Sequence, residues 1–130
     1  MPELPEVETV RKGLENLLNG FLIEKIEVLK ERSIASYGGS KDFIKNVQYS
    51  YLGNWDRRGK YLIGSLHAKE KESKGYIVVH LRMTGQFKFQ KKQNIPCKHT
   101  RVRFFDNLGN ELRFIDVRNF GQMWYVPPSK

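Results

Sequence analysis

The chain has 130 residues, 39% of them hydrophobic and 28% charged, with 23 Lys and Arg against 14 Asp and Glu and a formal net charge of +9. That length and composition suit one globular domain with its own core and exclude a disordered or fibrous chain. No apolar run reaches the roughly 20 residues of a membrane span, MPELPEVETV lacks the regions of a secretory leader, and a single cysteine, Cys97, cannot form an internal disulfide. We therefore expect a cytoplasmic protein that touches no membrane. The cationic excess costs self-repulsion unless a polyanion relieves it, which points to nucleic acid as the partner.

After Pro5, apolar residues recur at Val7, Val10, Leu14, Leu17 and Leu18, with Glu8, Arg11, Lys12 and Glu15 on the other side. This is the spacing of an amphipathic helix. Pro5 suits its first turn and Gly20 its stop, so the first four residues precede it. FLIEKIEVLK (21–30) alternates and is β-branched, and reads as a strand. KDFIKNV (41–47) suggests a short helix. Further strands are predicted at VQYSYLG (47–53), KYLIGSLH (60–67), YIVVHLRM (76–83), QFKFQ (86–90), TRVRFF (100–105), ELRFID (111–116) and QMWYV (122–126). HAKEKESKG (67–75) reads as a solvated loop, and NLGN (107–110) as a hairpin turn. The expected fold is mostly β, of α+β class. It is a β-sandwich of about eight short antiparallel strands flanked by an N-terminal helix and a second short helix.

Met1-Pro2-Glu3 carries the first chemistry. A small second residue normally lets the initiator methionine be removed, leaving a secondary amine at Pro2. An α-amino group titrates near pH 8, so part of it is unprotonated at neutral pH. Such an amine is a nucleophile for an electrophilic carbon, and its iminium adduct is an electron sink. Glu3 supplies a neighbouring carboxyl for general acid or base work. Many chains begin Met-Pro without catalytic consequence, so the dipeptide alone decides little.

The longer string decides more. PELPEVETV (2–10) closely resembles the N-terminus of formamidopyrimidine-DNA glycosylases, the Fpg or MutM family. RRGKYL (57–62) resembles that family's lysine-bearing β-turn, HLRMTGQ (80–86) its methionine loop, and DVRNFG (116–121) its arginine–phenylalanine loop. The four motifs stand in the family's order and span nearly the whole chain. The resemblance implies a bifunctional DNA glycosylase and AP lyase of base-excision repair, which removes oxidised purines such as 8-oxoguanine and formamidopyrimidines. Pro2 attacks C1′ of a nucleotide flipped out of the stack, Glu3 protonates the sugar, and the Schiff base leads to β,δ-elimination. Glu6 orients the N-terminal segment, or stabilises the start of the first helix. Lys60 contacts the phosphate beside the lesion. Arg57 and Arg58 form a phosphate patch or a solvated turn.

The resemblance assigns the hole left by the flipped base to Met83, Arg118 and Phe120. Wedge side chains in that hole offset an unstacking cost of a few kcal/mol, and the arginine reads the opposite cytosine. Met83 and Phe120 lie in polar, glycine-containing strings that read as loops, where an exposed apolar tip needs a partner. His99 matches a DNA-contacting histidine, and His80 holds a phosphate or orients its loop. Cys97 and His99 have no zinc-like spacing, so no metal is expected in this chain.

Two positions depart from the family. Asn119, a DNA-binding candidate, stands where many members carry a second basic residue, and Arg101 where some carry a second histidine. Family members are also about twice as long, continuing into a helix–two-turn–helix module and a zinc finger. Residues 1–130 are thus expected to be the N-terminal catalytic domain, with zinc confined to the finger. As a monomer it would bind damaged double-stranded DNA weakly and excise little on its own. Three alternatives stay open: an endonuclease VIII-like glycosylase for oxidised pyrimidines, a non-catalytic binder of damaged DNA, and an unrelated basic β-sandwich.

Overall fold

The computed structural model describes residues 4–91 and 95–128. The proposed nucleophile and acid, Pro2 and Glu3, lie outside the described residues. Helix α1 spans Leu4–Leu18 and helix α2 Gly39–Val47, with a 3-10 turn at Glu31–Ser33 between them. The strands are β1 (Lys25–Val28), β2 (Tyr51–Arg58), β3 (Tyr61–His67), β4 (Ser73–His80), β5 (Gly85–Gln90), β6 (Thr100–Phe105), β7 (Glu111–Asp116) and β8 (Gln122–Val126). They form two four-stranded sheets, ordered β1-β6-β7-β5 and β2-β3-β4-β8. Every neighbouring pair is antiparallel. The expected sandwich is what forms.

Alternation explains the packing. Leu62, Leu66, Ile77, Val79 and Met123 face inward from one sheet, and Val102, Phe104, Leu112 and Phe114 from the other. Val7, Leu14 and Leu18 of α1 and Phe43 and Val47 of α2 close the flanks of the same core. Gly59, at φ 58°, makes the tight two-residue turn with Lys60 that the Arg58–Tyr61 register requires.

Four sequence expectations change. FLIEKIEVLK is a β-strand only at Lys25–Val28. Its first half crosses between the sheets: Ile23 N–H reaches Ser50 O at 2.9 Å and Glu24 N–H reaches Phe105 O at 2.8 Å. VQYSYLG is split, because Val47 ends α2 and Tyr49 turns at φ 68° before β2 begins at Tyr51. β2 instead continues through Asn54–Arg58, past a register shift between Leu52 and Trp55 that hides its alternation. Finally, α1 starts at Leu4, and β4 stops at His80, leaving Leu81–Met83 to a loop.

α1 runs antiparallel to β2. Gly20 N–H bonds Leu52 O at 2.8 Å, Arg11 bonds Trp55 O at 3.0 Å, and Glu8 pairs with Arg57 at 3.2 Å. The hydrogen bond from Arg11, aided by Arg57, holds the Glu8 carboxyl down to about 2. Extending this series by four helical residues, about 6 Å, brings the start of α1 towards the Gly59–Lys60 turn.

On the outward face of the other sheet, Glu111 is wholly buried between Arg103 (2.7 Å) and Arg113 (2.6 Å). Burial alone would raise its carboxyl, but the hydrogen bonds from the two arginines outweigh it and hold it below its ordinary 4.5. Its stabilisation is therefore complete above that value and drains away as pH falls towards the lower folded-state value. Glu111→Gln removes the buried carboxylate shared by Arg103 and Arg113, leaving Arg103 its second partner Glu27 at 2.9 Å, and a loss of about 3 kcal/mol is expected in urea denaturation at pH 7. The deficit should shrink as acid protonates the wild-type carboxyl.

Candidate functional site

Five connections meet at one end of the sandwich. They are the segment after β1, the Gly59–Lys60 turn, the β4–β5 loop, the segment before β6 and the β7–β8 loop. The start of α1 points to the same end. Lys60, Glu6, His80, Met83, His99, Arg118, Asn119 and Phe120, far apart in sequence, are thereby collected at or beside one surface. Glu6 is exposed in the first turn of α1.

His80 is buried and sits opposite Tyr61 in the β3–β4 register, its ring edge-on to the tyrosine at 4.8 Å. Its Nδ1 accepts the Arg82 N–H at 3.0 Å, which leaves the proton of the neutral ring on Nε2. Burial, then the charges of Arg82 and Lys60, press its titration below the ordinary 6.5. Both effects favour the neutral ring of His80. Arg82 adopts φ 55°, and its guanidinium donates to Gln122 Oε1 at 3.1 Å.

The β4–β5 and β7–β8 loops are tied together by Asp116, which is fully buried. Its Oδ1 accepts the Thr84 hydroxyl, and its Oδ2 accepts the Gly121 N–H at 2.6 Å. Thr84 Oγ1 in turn accepts the Arg118 N–H at 3.0 Å. Gly121 must lack a side chain, since a Cβ there would lie 2.7 Å from Phe114 and 2.8 Å from the Asp116 carboxylate. The Asp116 backbone carries the tie further: its N–H bonds His99 O at 3.0 Å, and its carbonyl accepts Arg101 Nε–H at 2.8 Å. Arg101, buried, is thus a structural brace.

The tips left outside this knot are apolar and exposed. Met83 is 49% exposed and Phe120 45%, so neither is a core residue. Arg118 is exposed, with Nη1 4.0 Å from Met83 Sδ. Asn119 is half-buried at φ 59°; its side chain takes the Ser33 hydroxyl at 3.4 Å and its carbonyl takes Arg32 Nε–H at 2.8 Å. Met83, Phe120, Arg82, Gln122 and Arg32 line a pocket of about 340 Å³. Arg57 is partly exposed and bonds Glu8 at 3.2 Å and Gly59 O at 3.0 Å. Arg58 stays exposed.

Sequence reading singled out neither Asp116, Thr84, Arg82, Gln122 nor Arg32. Asp116 carried a signal, an Asp at a strand end before a glycine-containing loop. Arg32 carried none, since its partners are 87 and 88 positions away. Among the described residues no group of His, Cys, Asp and Glu could hold a metal ion, and no helix is long and apolar enough to cross a membrane.

Residues 1–123 match the family model of the formamidopyrimidine-DNA glycosylase N-terminal domain. The chain is 77% identical over all its 130 residues to formamidopyrimidine-DNA glycosylase of Prochlorococcus marinus strain NATL1A, and 76% identical to that of strain NATL2A. In both cases it covers 46% of the relative, so it spans about half the length of these curated proteins. It is also similar to solved structures. Lactococcus lactis Fpg bound to DNA containing an oxidised pyrimidine and MutM bound to DNA containing carbocyclic 8-oxo-G each match at 31% identity with a TM-score of 0.86. Each covers 97% of this chain, which spans 44% of the other.

Two outcomes are expected here. Asp116→Ala strands the Thr84 hydroxyl and the Gly121 amide, and should cost about 2–3 kcal/mol in thermal unfolding while speeding hydrogen exchange at Gly121. An NMR titration should place His80 below 6.5, and Lys60→Ala should raise it, since one of the nearby positive charges is removed.

Proposed function

The chain belongs to the formamidopyrimidine-DNA glycosylase family through its N-terminal domain, and on that premise we propose that it is the catalytic half of a bacterial, cytoplasmic base-excision glycosylase and AP lyase acting on oxidised purines in double-stranded DNA. One observation carries the reading. Two exposed apolar tips, Met83 and Phe120, stand with Arg118 on the end of the sandwich that also holds Lys60, His80 and the start of α1. A surface of this kind inserts into DNA and grips its phosphates. The cations there attract the backbone without reading sequence, and the wedge residues offset the unstacking that base flipping requires.

In the proposed reaction the Pro2 nitrogen forms a bond to C1′ as the glycosidic bond breaks and the base leaves. Glu3 protonates the ring oxygen, the sugar opens, and the nitrogen lone pair completes an iminium ion. Loss of a C2′ proton then expels the 3′ phosphate, and a second elimination expels the 5′ phosphate. Lys60 and His80 Nε2–H hold phosphate oxygens, and the low titration of His80 keeps it a neutral donor. His99, adjacent to Asp116, and Asn119 flank the bound strand, while Glu6 steadies the segment bearing Pro2. In this reading the family's zinc belongs to its finger, which with the helix–two-turn–helix module lies outside residues 1–130.

Borohydride trapping on abasic duplex at low salt tests this. A covalent adduct is expected with the wild-type chain and none when the Pro2 nitrogen is acetylated, while Lys60→Ala slows trapping by about 10²-fold. An adduct that persists with the N-terminal nitrogen acetylated would sink the assignment. The same duplex design with 8-oxoguanine or an oxidised pyrimidine in a full-length protein reads the lesion class.

A further inference from the structure

We propose that Arg32 is a positioning residue that pre-sets Phe120 for insertion into the DNA stack; the inference rests on the wedge role proposed above. Three contacts converge on it. Arg32 Nε–H donates to Asn119 O at 2.8 Å, its guanidinium carbon lies 5.3 Å from the centre of the Phe120 ring, and the neighbouring Ser33 hydroxyl reaches Asn119 Oδ1 at 3.4 Å. The 3-10 turn bearing Arg32 is itself anchored on both sides. Glu31 accepts Ser40 N–H at 2.8 Å and Ser40 Oγ–H at 2.5 Å, while Ala35 N–H bonds Met123 O at 2.8 Å.

The chemistry explains why an arginine stands here. Asn119 adopts φ 59°, a conformation that asparagine tolerates better than most residues, and this lets its carbonyl meet Arg32. A guanidinium group can donate along its edge and lie over an aromatic face at the same time; a lysine ammonium does one or the other. With one face of the ring covered, Phe120 keeps its opposite face and its edge for a base. A side chain already held in its inserting orientation loses less conformational freedom when DNA arrives. Arg32 thus acts through Phe120 rather than by gripping a phosphate.

Two measurements decide it. In the DNA-free chain, NMR relaxation of Arg32→Ala should show faster backbone motion at Asn119–Gly121 and none at Met83–Thr84. With a duplex carrying an abasic analogue opposite 2-aminopurine, Arg32→Ala should weaken binding about five- to tenfold. It should also blunt the fluorescence change of insertion while leaving the salt dependence unaltered. Arg32→Lys, which keeps the charge, should restore at most part of the insertion signal. If the slope of affinity against salt instead drops by about 0.9 in Arg32→Ala and returns in Arg32→Lys, the residue is a phosphate contact and the proposal fails. An unchanged loop in the free chain overturns it as well. Should the wild-type chain bind no abasic duplex, the DNA reading of the site fails, and the DNA-free measurement still decides the role of Arg32.

Discussion

A single buried carboxylate, Asp116, holds the site end of the molecule together. It closes β7, accepts one hydrogen bond from each of the loops that carry Met83 and Phe120, and passes backbone bonds to His99 and Arg101. Loops normally carry mobile backbone, and here two of them must present apolar tips at a fixed separation. A carboxylate can accept from two donors at once with charge-assisted bonds, so one residue orders both loops. Gly121 is the steric condition of that arrangement, because only a hydrogen fits between the carboxylate and Phe114.

The remainder of the fold supplies rigidity behind this knot. Antiparallel hairpins return the chain repeatedly to the same end of the sandwich, which is why residues from 60 to 120 share one surface. Away from the site, Glu111 and its two arginines stiffen the β6–β7 pair with buried charge. α1 is pinned along β2 by Glu8, Arg11 and Arg57, and the pinning directs its start at the Lys60 turn.

Electrostatics sorts many of the cationic side chains into two kinds. Arg11, Arg57, Arg101, Arg103 and Arg113 are spent on internal partners. Arg58, Arg118 and Lys60 lie at the surface that the proposed duplex would meet. The net charge of +9 is therefore a poor measure of the interface, since much of the arginine content braces the fold. His80 follows the same logic: desolvation and two cations keep it uncharged, so it can offer a proton in a hydrogen bond without adding to the repulsion.

Much was legible in the chain itself. Apolar spacing marked α1, period-two alternation marked most of the strands, and the strings around Pro2, Lys60, Met83 and Phe120 carried the family resemblance, because these are local properties of neighbouring residues. Where local pattern was broken, reading failed. The register shift after Leu52 concealed the polar half of β2, and the crossing at Phe21–Glu24 looked like one strand because it pairs with two different sheets in turn. The partners of Asp116 and Arg32 were decided only in three dimensions. The Asp116–Thr84 and Arg32–Asn119 hydrogen bonds join positions 32 and 87 apart, and no periodicity or composition encodes a contact that exists only once distant segments have been folded against each other.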